Sequence, residues 1–318
     1  MLTRREALLG ALAFAGARDG LAKASQPSVP LAFDVPPHAC DCHTHIFGNP
    51  KKFYYWPSRA YTPEPALPKE MAALHRKLHI ERVVIVTPSV YGPDNSATLN
   101  GMKARGPNAR GVAVIDELTS ERALEAMARE GIRGIRLNLA TGNQIDAEGA
   151  RTRLREAADR VKKHNWHIQM FTTLPVIAAI KDAVRDSPVP VVFDHFGSAQ
   201  ASLGVEQPGF ADLIDLVRAG NTWVKISGAY RSSQQAPDYA DVAPLAKALI
   251  AANADRVLWG TDWPHPNSAT PAGHKPTEIT PLFAIDDARL FNQFAQWAPD
   301  PALRTKILVD NPARLYGF

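Results

Sequence analysis

The sequence has little of several features that mark special classes of protein. Only two of its 318 residues are cysteines, so a disulfide scaffold is excluded by count. No stretch approaches the roughly 20 apolar residues that a membrane-spanning helix needs. The formal net charge is only +4, from 36 basic and 32 acidic side chains. This small excess predicts neither nucleic acid nor a membrane surface as a partner.

The two cysteines, Cys40 and Cys42, lie one residue apart. On a strand they would point to the same side, but a bridge between them would close a strained small loop. We predict free thiols packed inside the fold. A soft metal bound by the pair is the alternative, because thiolates are soft ligands.

The first 24 residues have the three parts of an export signal. The pair Arg4 and Arg5 precedes a short apolar run, and small residues follow at the two positions that a signal peptidase requires, ending at Ala24. The arginine pair resembles a bacterial twin-arginine signal. We predict a signal peptide over residues 1–24, an N-terminal arm over residues 25–37 and a periplasmic protein. An N-terminal extension on a cytoplasmic protein is the alternative.

Eight short apolar segments rich in β-branched residues recur along the chain, about 31 residues apart, with helix-like segments between most of them. This alternation and spacing are typical of βα units in a parallel sheet. The prediction is an α/β fold, a single-domain (β/α)8 TIM barrel over residues 38–318, with C-terminal helices covering one end. A doubly wound open sheet is the alternative, although no G-x-G-x-x-G follows the first strand. The predicted strands span residues 39–46, 82–87, 111–115, 132–139, 166–171, 189–196, 222–228 and 256–262.

Polar side chains cluster where these predicted strands end. In a closed barrel the carboxyl ends of the strands meet in one cup, and TIM-barrel active sites lie there. We therefore predict that these side chains share one site. They are His43, His45, Thr87, Ser89, Arg136, His195, Arg231, Asp262 and His265.

The paired histidines of the first strand are central to this prediction. His43 and His45 are two residues apart, so both side chains face the same side of the strand. A buried Asp262 at the end of the last strand would need a cation, a metal, an imidazole or a water beside it. With His195 after the sixth strand, the set offers three imidazoles and one carboxylate. Lys225, in the middle of a strand, is predicted to be buried with a partner rather than catalytic.

At these residues the sequence resembles the amidohydrolase superfamily, and within it the branch of 2-pyrone-4,6-dicarboxylate lactonase and sugar lactonases. The similarity extends over most of residues 38–318. It is carried by the segments DCHTHIFG at 41–48, RGIRLNL at 133–139, VVFDHFG at 191–197, WGTDWPHP at 259–266 and DNPARLYGF at 310–318.

The resemblance implies a hydrolase that opens a lactone, a cyclic ester, of a carboxylated small molecule. We assign Asp262 as the general base on a water, and His43, His45 and His195 as the groups that polarise the carbonyl. The predicted substrate-binding set is Arg136, Arg231, Tyr61, Ser89, Thr87 and His265.

The sequence leaves alternatives for the cofactor and for the substrate. The fifth strand offers Gln169 where metal-rich members of the superfamily carry a lysine, so we favour an enzyme without an essential cofactor. One divalent metal such as Zn2+, held by the same three imidazoles and Asp262, is the alternative. Gly142 and Asn143 cannot supply the cations with which the pyrone lactonase holds a second carboxylate. A lactone isomerase, a metal-dependent decarboxylase and a non-catalytic periplasmic binding protein are the other functions considered.

Overall fold

A computed structural model describes the chain over residues 24–140, 146–268, 273 and 275–318. Eight parallel strands form one sheet, and each pairs with the next along the chain. We number them β1 to β8. They span Cys40–Thr44, Arg82–Val86, Ala109–Ala113, Ile132–Asn138, His167–Phe171, Val191–Phe193, Thr222–Ser227 and Val257–Gly260.

The residues after β8 close the sheet on β1. The backbone N–H of Asp262 donates to the carbonyl of His43, and that of His45 donates to the carbonyl of Trp263, both at 2.8 Å. A Cβ on Gly260 would lie 2.7 Å from the backbone nitrogen of His43, so this close approach requires glycine. The closed barrel confirms the predicted (β/α)8 fold and excludes the open sheet.

Helices occupy the connections between the strands, and polar residues begin several of them. The Ser120 hydroxyl accepts from the backbone N–H of Ala123 at the start of one helix, and the Asp146 carboxylate accepts from Gly149 at the start of another. The helices α1 to α11 span Pro68–Lys77, Ser96–Arg105, Glu121–Arg129, Ala147–Val161, Leu174–Arg185, Phe210–Ala219, Ala229–Ser232, Ala243–Asn253, Asp287–Trp297, Pro301–Thr305 and Asn311–Tyr316.

Two apolar layers hold the barrel together. Side chains such as Val83 and Ile85 belong to the large core shared with the helices. Val84 and Val86, which alternate with them along β2, belong to a second cluster that includes both cysteines. Cys40 and Cys42 are buried free thiols, as predicted.

The C-terminal residues cover the end of the barrel where the strands begin. Tyr316 is buried in the second apolar cluster, and its ring lies 5.2 Å from that of His167 at the start of β5. The Arg110 side chain donates to the carbonyls of Tyr316 and Gly317. This arrangement confirms the predicted helical cover and leaves the opposite end, where the strands finish, as the open one.

The predicted arm packs along the outside of the barrel. The carbonyl of Ser25 accepts from Trp263 Nε1 at 3.4 Å, and Ser28 binds the carboxylate of Asp286 through its N–H and its hydroxyl. The predicted signal peptide, apart from Ala24, lies outside the described residues. Within the described part of the chain, no helix combines the length and apolar character needed to cross a membrane.

Candidate active site

Two histidines on β1 point into the open end of the barrel. Both side chains are buried, and their ring centroids are 5.0 Å apart. Nδ1 of His45 lies 2.8 Å from the carbonyl oxygen of Val86. Because a carbonyl only accepts, Nδ1 of neutral His45 carries the proton and Nε2 is left as an acceptor.

Asp262 follows β8 and divides its two carboxylate oxygens between different partners. Oδ2 accepts from the Tyr230 hydroxyl at 2.6 Å and from Arg231 Nε. Oδ1 lies 3.6 Å from Nε2 of His43 and 3.5 Å from Nε2 of His45. The φ of Asp262 is +66°, a left-handed conformation that is uncommon outside glycine. One oxygen is therefore anchored, and the other faces the paired histidines.

His195, in the turn after β6, completes the group. Its φ is +47°, its ring lies 4.6 Å from that of His43, and its Nε2 is 3.8 Å from Oδ2 of Asp262. Its Nδ1 lies 2.9 Å from the hydroxyl of Ser227. The structure thus brings together all four side chains that the sequence nominated as catalytic.

Burial and charge set the protonation of this group. Burial lowers the pKa of His43 and of His45, and it lowers the pKa of His195 to about 4. Burial alone would raise the pKa of Asp262, but the Arg231 guanidinium holds it well below its usual range. At neutral pH the site therefore contains three neutral imidazoles around an ionised carboxylate.

A second layer of buried charges lies beneath His43. Asp194 accepts from Nε and Nη2 of Arg136 at 3.1 and 2.9 Å. Lys225 donates to Oε1 of Gln169 at 2.6 Å and lies 3.3 Å from Nδ1 of His43. Lys225 is thus buried with partners, as predicted, and burial lowers its pKa to about 8.

Four of the six predicted substrate-binding residues line the pocket above the histidines. They are Tyr61, Ser89, Arg136 and Arg231. Tyr61 is buried and bonded to Ser89, and burial raises its pKa to about 12. Both arginines are already paired with carboxylates. A ligand can therefore bind only those guanidinium nitrogens that take no part in these ion pairs.

The other two predicted substrate-binding residues, Thr87 and His265, do not line the pocket. The Thr87 hydroxyl lies 2.7 Å from both Asn95 Oδ1 and the Thr98 hydroxyl, behind the pocket wall. His265 is fully buried, and its Nε2 lies 3.0 Å from Oδ2 of Asp287. Both side chains are turned away because these buried partners satisfy them.

Three residues of the site were not assigned a role from the sequence. They are Asp194 and Tyr230, together with Lys225, for which only burial was predicted. Asp194 stands directly before His195 in the chain, and Tyr230 directly before Arg231. Their position next to predicted site residues is the sequence feature that could have identified them. Asp194 and Lys225 pair with side chains from other strands, and Tyr230 on α7 pairs with Asp262 after β8. Periodicity along one strand does not reveal such contacts.

The buried donors fit a single metal ion. Each of His43, His195 and Asp262 offers a ligand atom, and these atoms lie within 4.8 Å of one another. Among the described residues, Nε2 of His43 and Oδ1 of Asp262 have no hydrogen-bond partner although both are buried. A metal needs the lone pair of Nε2, and Asp194 Oδ1, 3.2 Å from Nδ1 of His43, can accept the proton that Nδ1 would then carry.

Comparison with known proteins agrees with this geometry. Residues 40–318 match the family model described as amidohydrolase, which covers the barrel and the four nominated catalytic residues. The chain belongs to the amidohydrolase family. The family predicted from the sequence is therefore confirmed.

Three relatives of this amidohydrolase act on or interconvert lactones according to their names. A 4-sulfomuconolactone hydrolase from Rhizobium radiobacter is 36% identical, over 91% of this chain and 93% of its own. A 2-pyrone-4,6-dicarboxylate hydrolase from Comamonas testosteroni is 34% identical, over 92% and 94%. A D-galactarolactone isomerase from Agrobacterium fabrum (strain C58) is 30% identical, over 78% and 80%. These names agree with the branch predicted from the sequence.

Proposed function

We propose that this amidohydrolase opens the lactone ring of a carboxylated small molecule by adding water. The proposal rests on the different surroundings of the two carboxylate oxygens of Asp262. Oδ2 is anchored by Tyr230 and Arg231, while buried Oδ1 faces His43 and His45 without a hydrogen-bond partner among the described residues. An ionised oxygen held in this way can take a proton from water.

The proposed reaction has two steps. Asp262 Oδ1 accepts a proton from water as the water oxygen bonds to the ring carbonyl carbon. The bond between that carbon and the ring oxygen then breaks, and the proton passes to the departing alkoxide. The products are a hydroxyl and a carboxylic acid on one open chain, and the acid ionises at neutral pH and releases one proton to solvent, so atoms and charge balance with one water consumed.

The imidazoles differ in what they can do in this reaction. Nδ1 of His43 lies 3.3 Å from Lys225, which can only donate, and 3.2 Å from Oδ1 of Asp194, which can only accept. The Lys225 contact favours the tautomer with its proton on Nε2, which faces the site, and the Asp194 contact favours the other. Nδ1 of His195 lies 2.9 Å from the Ser227 hydroxyl and 3.3 Å from the Ser227 carbonyl oxygen, so this ring also carries its proton on Nε2 when the hydroxyl donates to Nδ1. These two rings can donate to the developing oxyanion. Neutral His45 has its proton on Nδ1, so we assign it to hold the water rather than to polarise the carbonyl.

A divalent metal is compatible with the same residues. His43, His195 and Asp262 would hold it. When bound, such an ion supplies Lewis-acid polarisation of a carbonyl and lowers the pKa of a bound water. Arg136, Arg231, Tyr61 and Ser89 keep the same task, which is to orient the carboxylate of the substrate.

A panel of carboxylated lactones tests the proposal on the purified protein, with and without a chelator. We expect proton release on ring opening and one oxygen from labelled water in each product. Activity that survives chelation would identify an enzyme without an essential metal. If no lactone on the panel is consumed, the proposal is wrong.

Acyl transfer within a sugar-acid lactone is the second candidate function, and it is favoured by the relative named D-galactarolactone isomerase. In this reaction a hydroxyl of the substrate attacks the carbonyl in place of water. Asp262 is again the base, and His43 and His195 are again the hydrogen-bond donors. An isomeric lactone without the oxygen label would identify it. Release of CO2 would instead identify a decarboxylase, and binding without any conversion would identify a binding protein.

We also propose that the protein is exported through its twin-arginine-like signal. Fractionation of cells expressing the full chain should place the protein in the periplasm, with Ser25 as the new N-terminus. An Arg4→Lys, Arg5→Lys variant should remain in the cytoplasm. Equal distribution of the two proteins would contradict the proposal.

A further inference from the structure

The pocket above Asp262 consists of two connected chambers. The inner chamber is lined by His45, Tyr61, Ser89 and Arg136, among others. The outer chamber has a volume of about 300 Å³ and opens towards solvent. Both chambers share the side chains Phe171, His195, Arg231 and Ser268. A ligand that contacts His45 and His195 in the inner chamber can therefore extend into the outer chamber.

The charges of the inner chamber leave room for one anion. Its lining cations are Arg136 and Arg231, and each is already paired with a buried carboxylate. Those pairs use Nε and Nη2 of Arg136 and Nε of Arg231, whose Nη2 donates to the carbonyl of Pro266. No described residue accepts from Nη1 of either arginine. Two guanidinium nitrogens thus remain for a single carboxylate.

The outer chamber has no matching cation for a second anion. Its lining residues beyond those shared with the inner chamber are neutral. They are Ser198, Gln200, Tyr230, Asn267 and Phe283. A second carboxylate placed there would meet only neutral donors and Arg231, which is already paired with Asp262, so it would gain less than a carboxylate between the two arginines.

Aromatic walls make the outer chamber suited to a ring. The rings of Tyr230 and Phe283 lie 5.5 Å apart, and Phe171 lines the same space. Phe283 is 40% exposed although it is a large apolar side chain. Hydroxyl and amide groups at Ser198 and Gln200 lie on the same lining. A volume of about 300 Å³ is enough for one ring-sized substituent.

We propose that the substrate is a lactone with one carboxylate, which lies between Arg136 and Arg231, and an uncharged ring-sized substituent that fills the outer chamber. This inference rests on the proposed function and narrows its substrate class. It sets the chain apart from its relative whose name gives a pyrone with two carboxylates.

Three matched lactones test the inference by steady-state kinetics. The first carries one carboxylate, the second adds a phenyl or cyclohexyl group, and the third adds a second carboxylate instead. We expect kcat/KM to be at least tenfold higher for the ring-bearing compound than for the unsubstituted one. The dicarboxylate should be the poorest substrate. A dicarboxylate that equals or exceeds the ring-bearing compound would overturn the inference.

Variants at Phe283 distinguish the effect of the aromatic side chain on substrate choice from the effect of the missing positive charge. Phe283→Ala should lower kcat/KM by about tenfold for the ring-bearing lactone and by clearly less for the unsubstituted one. Phe283→Lys should raise kcat/KM for the dicarboxylate by supplying the missing cation. Leu118→Lys is the matched control, because Leu118 is an exposed apolar residue that lines neither chamber. Equal losses for all three lactones in Phe283→Ala would count against the inference.

Binding of lactam analogues distinguishes this inference from the proposed function. The same three compounds with a ring nitrogen in place of the ring oxygen resist hydrolysis and can be followed by calorimetry on the unmodified protein. We expect the ring-bearing monocarboxylate to bind at least tenfold more tightly than the other two. That result without turnover of any lactone would disprove the hydrolase but support the pocket chemistry. Turnover with tighter binding of the dicarboxylate would disprove the inference alone.

Discussion

At the scale of single residues, the unequal environments of the two Asp262 oxygens lead to a direct test. We expect Asp262→Asn to lower kcat by about 10²–10⁴-fold, because an amide cannot accept the proton from water. The amide oxygen can still accept from Tyr230 and Arg231, so the fold should persist. Steady-state kinetics and circular dichroism measure the two effects.

The control for this variant is Asp215→Asn, which changes an exposed aspartate paired with Arg218 on α6. It should retain the full kcat. Near-normal turnover by Asp262→Asn would remove Asp262 from the role of general base.

Lys225 is a second residue with a specific expectation, as a positioning residue that acts through His43. Lys225→Met should lower kcat by about 10–100-fold while KM changes little, because Lys225 lines neither chamber. Burial lowers the pKa of Lys225 to about 8, so its protonated form is lost as the pH rises through that value. The activity of the parent protein should therefore fall above about pH 8, and the variant should lack that decline.

The matched control for Lys225 is Lys181→Met, on an exposed lysine of α5 that pairs with Asp212. It should leave both kcat and the pH profile unchanged. An alkaline decline that persists in Lys225→Met would show that another group produces it.

At the scale of helices and strands, hydrophobic pattern predicted the elements well, but turns shifted their ends. The third strand was predicted over residues 111–115 and forms over Ala109–Ala113. The sixth was predicted over residues 189–196 and forms only over Val191–Phe193. The strand ends early because the chain turns at His195 and Phe196, which adopt positive φ, a conformation uncommon outside glycine.

Asp286 tests how much the N-terminal arm and a helix cap each contribute to the free energy of unfolding. Its Oδ1 accepts from the backbone N–H groups of Ala288 and Arg289 at the start of α9, and its Oδ2 accepts from Ser28. Asp286→Ala should lower the free energy of unfolding by about 1–2 kcal/mol for the cap, plus the contribution of the arm. Ser28→Ala removes only the hydroxyl contact and should cost about 0.5–1.5 kcal/mol.

The matched control is Asp146→Ala, because Asp146 caps α4 and, among the described residues, its carboxylate binds only the backbone N–H of Gly149. Urea denaturation should rank Asp286→Ala as more destabilising than Asp146→Ala. Equal losses would show that the arm adds nothing to stability.

At the scale of the whole molecule, the closed barrel explains which parts of the site could be predicted. Barrel closure brings the ends of β1, β6 and β8 together, so nominating polar residues at strand ends located His43, His45, His195 and Asp262. Choosing polar residues at strand ends could not predict which side chains form ion pairs across the barrel. Arg136 was predicted to bind substrate, yet two of its three guanidinium nitrogens bind Asp194, which is 58 residues away in the chain.

The buried imidazoles should also make the stability of the whole molecule sensitive to acid. Burial lowers the pKa of His167 to about 3 and that of His195 to about 4, whereas an unfolded histidine titrates near 6.5. Below about pH 6.5 the unfolded chain therefore binds protons that the folded chain does not. The free energy of unfolding should fall with decreasing pH, by up to about 1.4 kcal/mol per pH unit for each such imidazole.

His167 allows this effect to be measured away from the catalytic residues, because it lies at the covered end of the barrel against Tyr316. In urea denaturation at pH 6.5, 5.75 and 5.0, His167→Gln should show a shallower decline of stability than the parent protein. This window lies above the range in which carboxylates titrate, so their contribution stays small. His38→Gln, on an exposed histidine, should keep the parent slope. Equal slopes for the parent and His167→Gln would mean that the buried ring takes up its proton as readily in the folded chain as in the unfolded one.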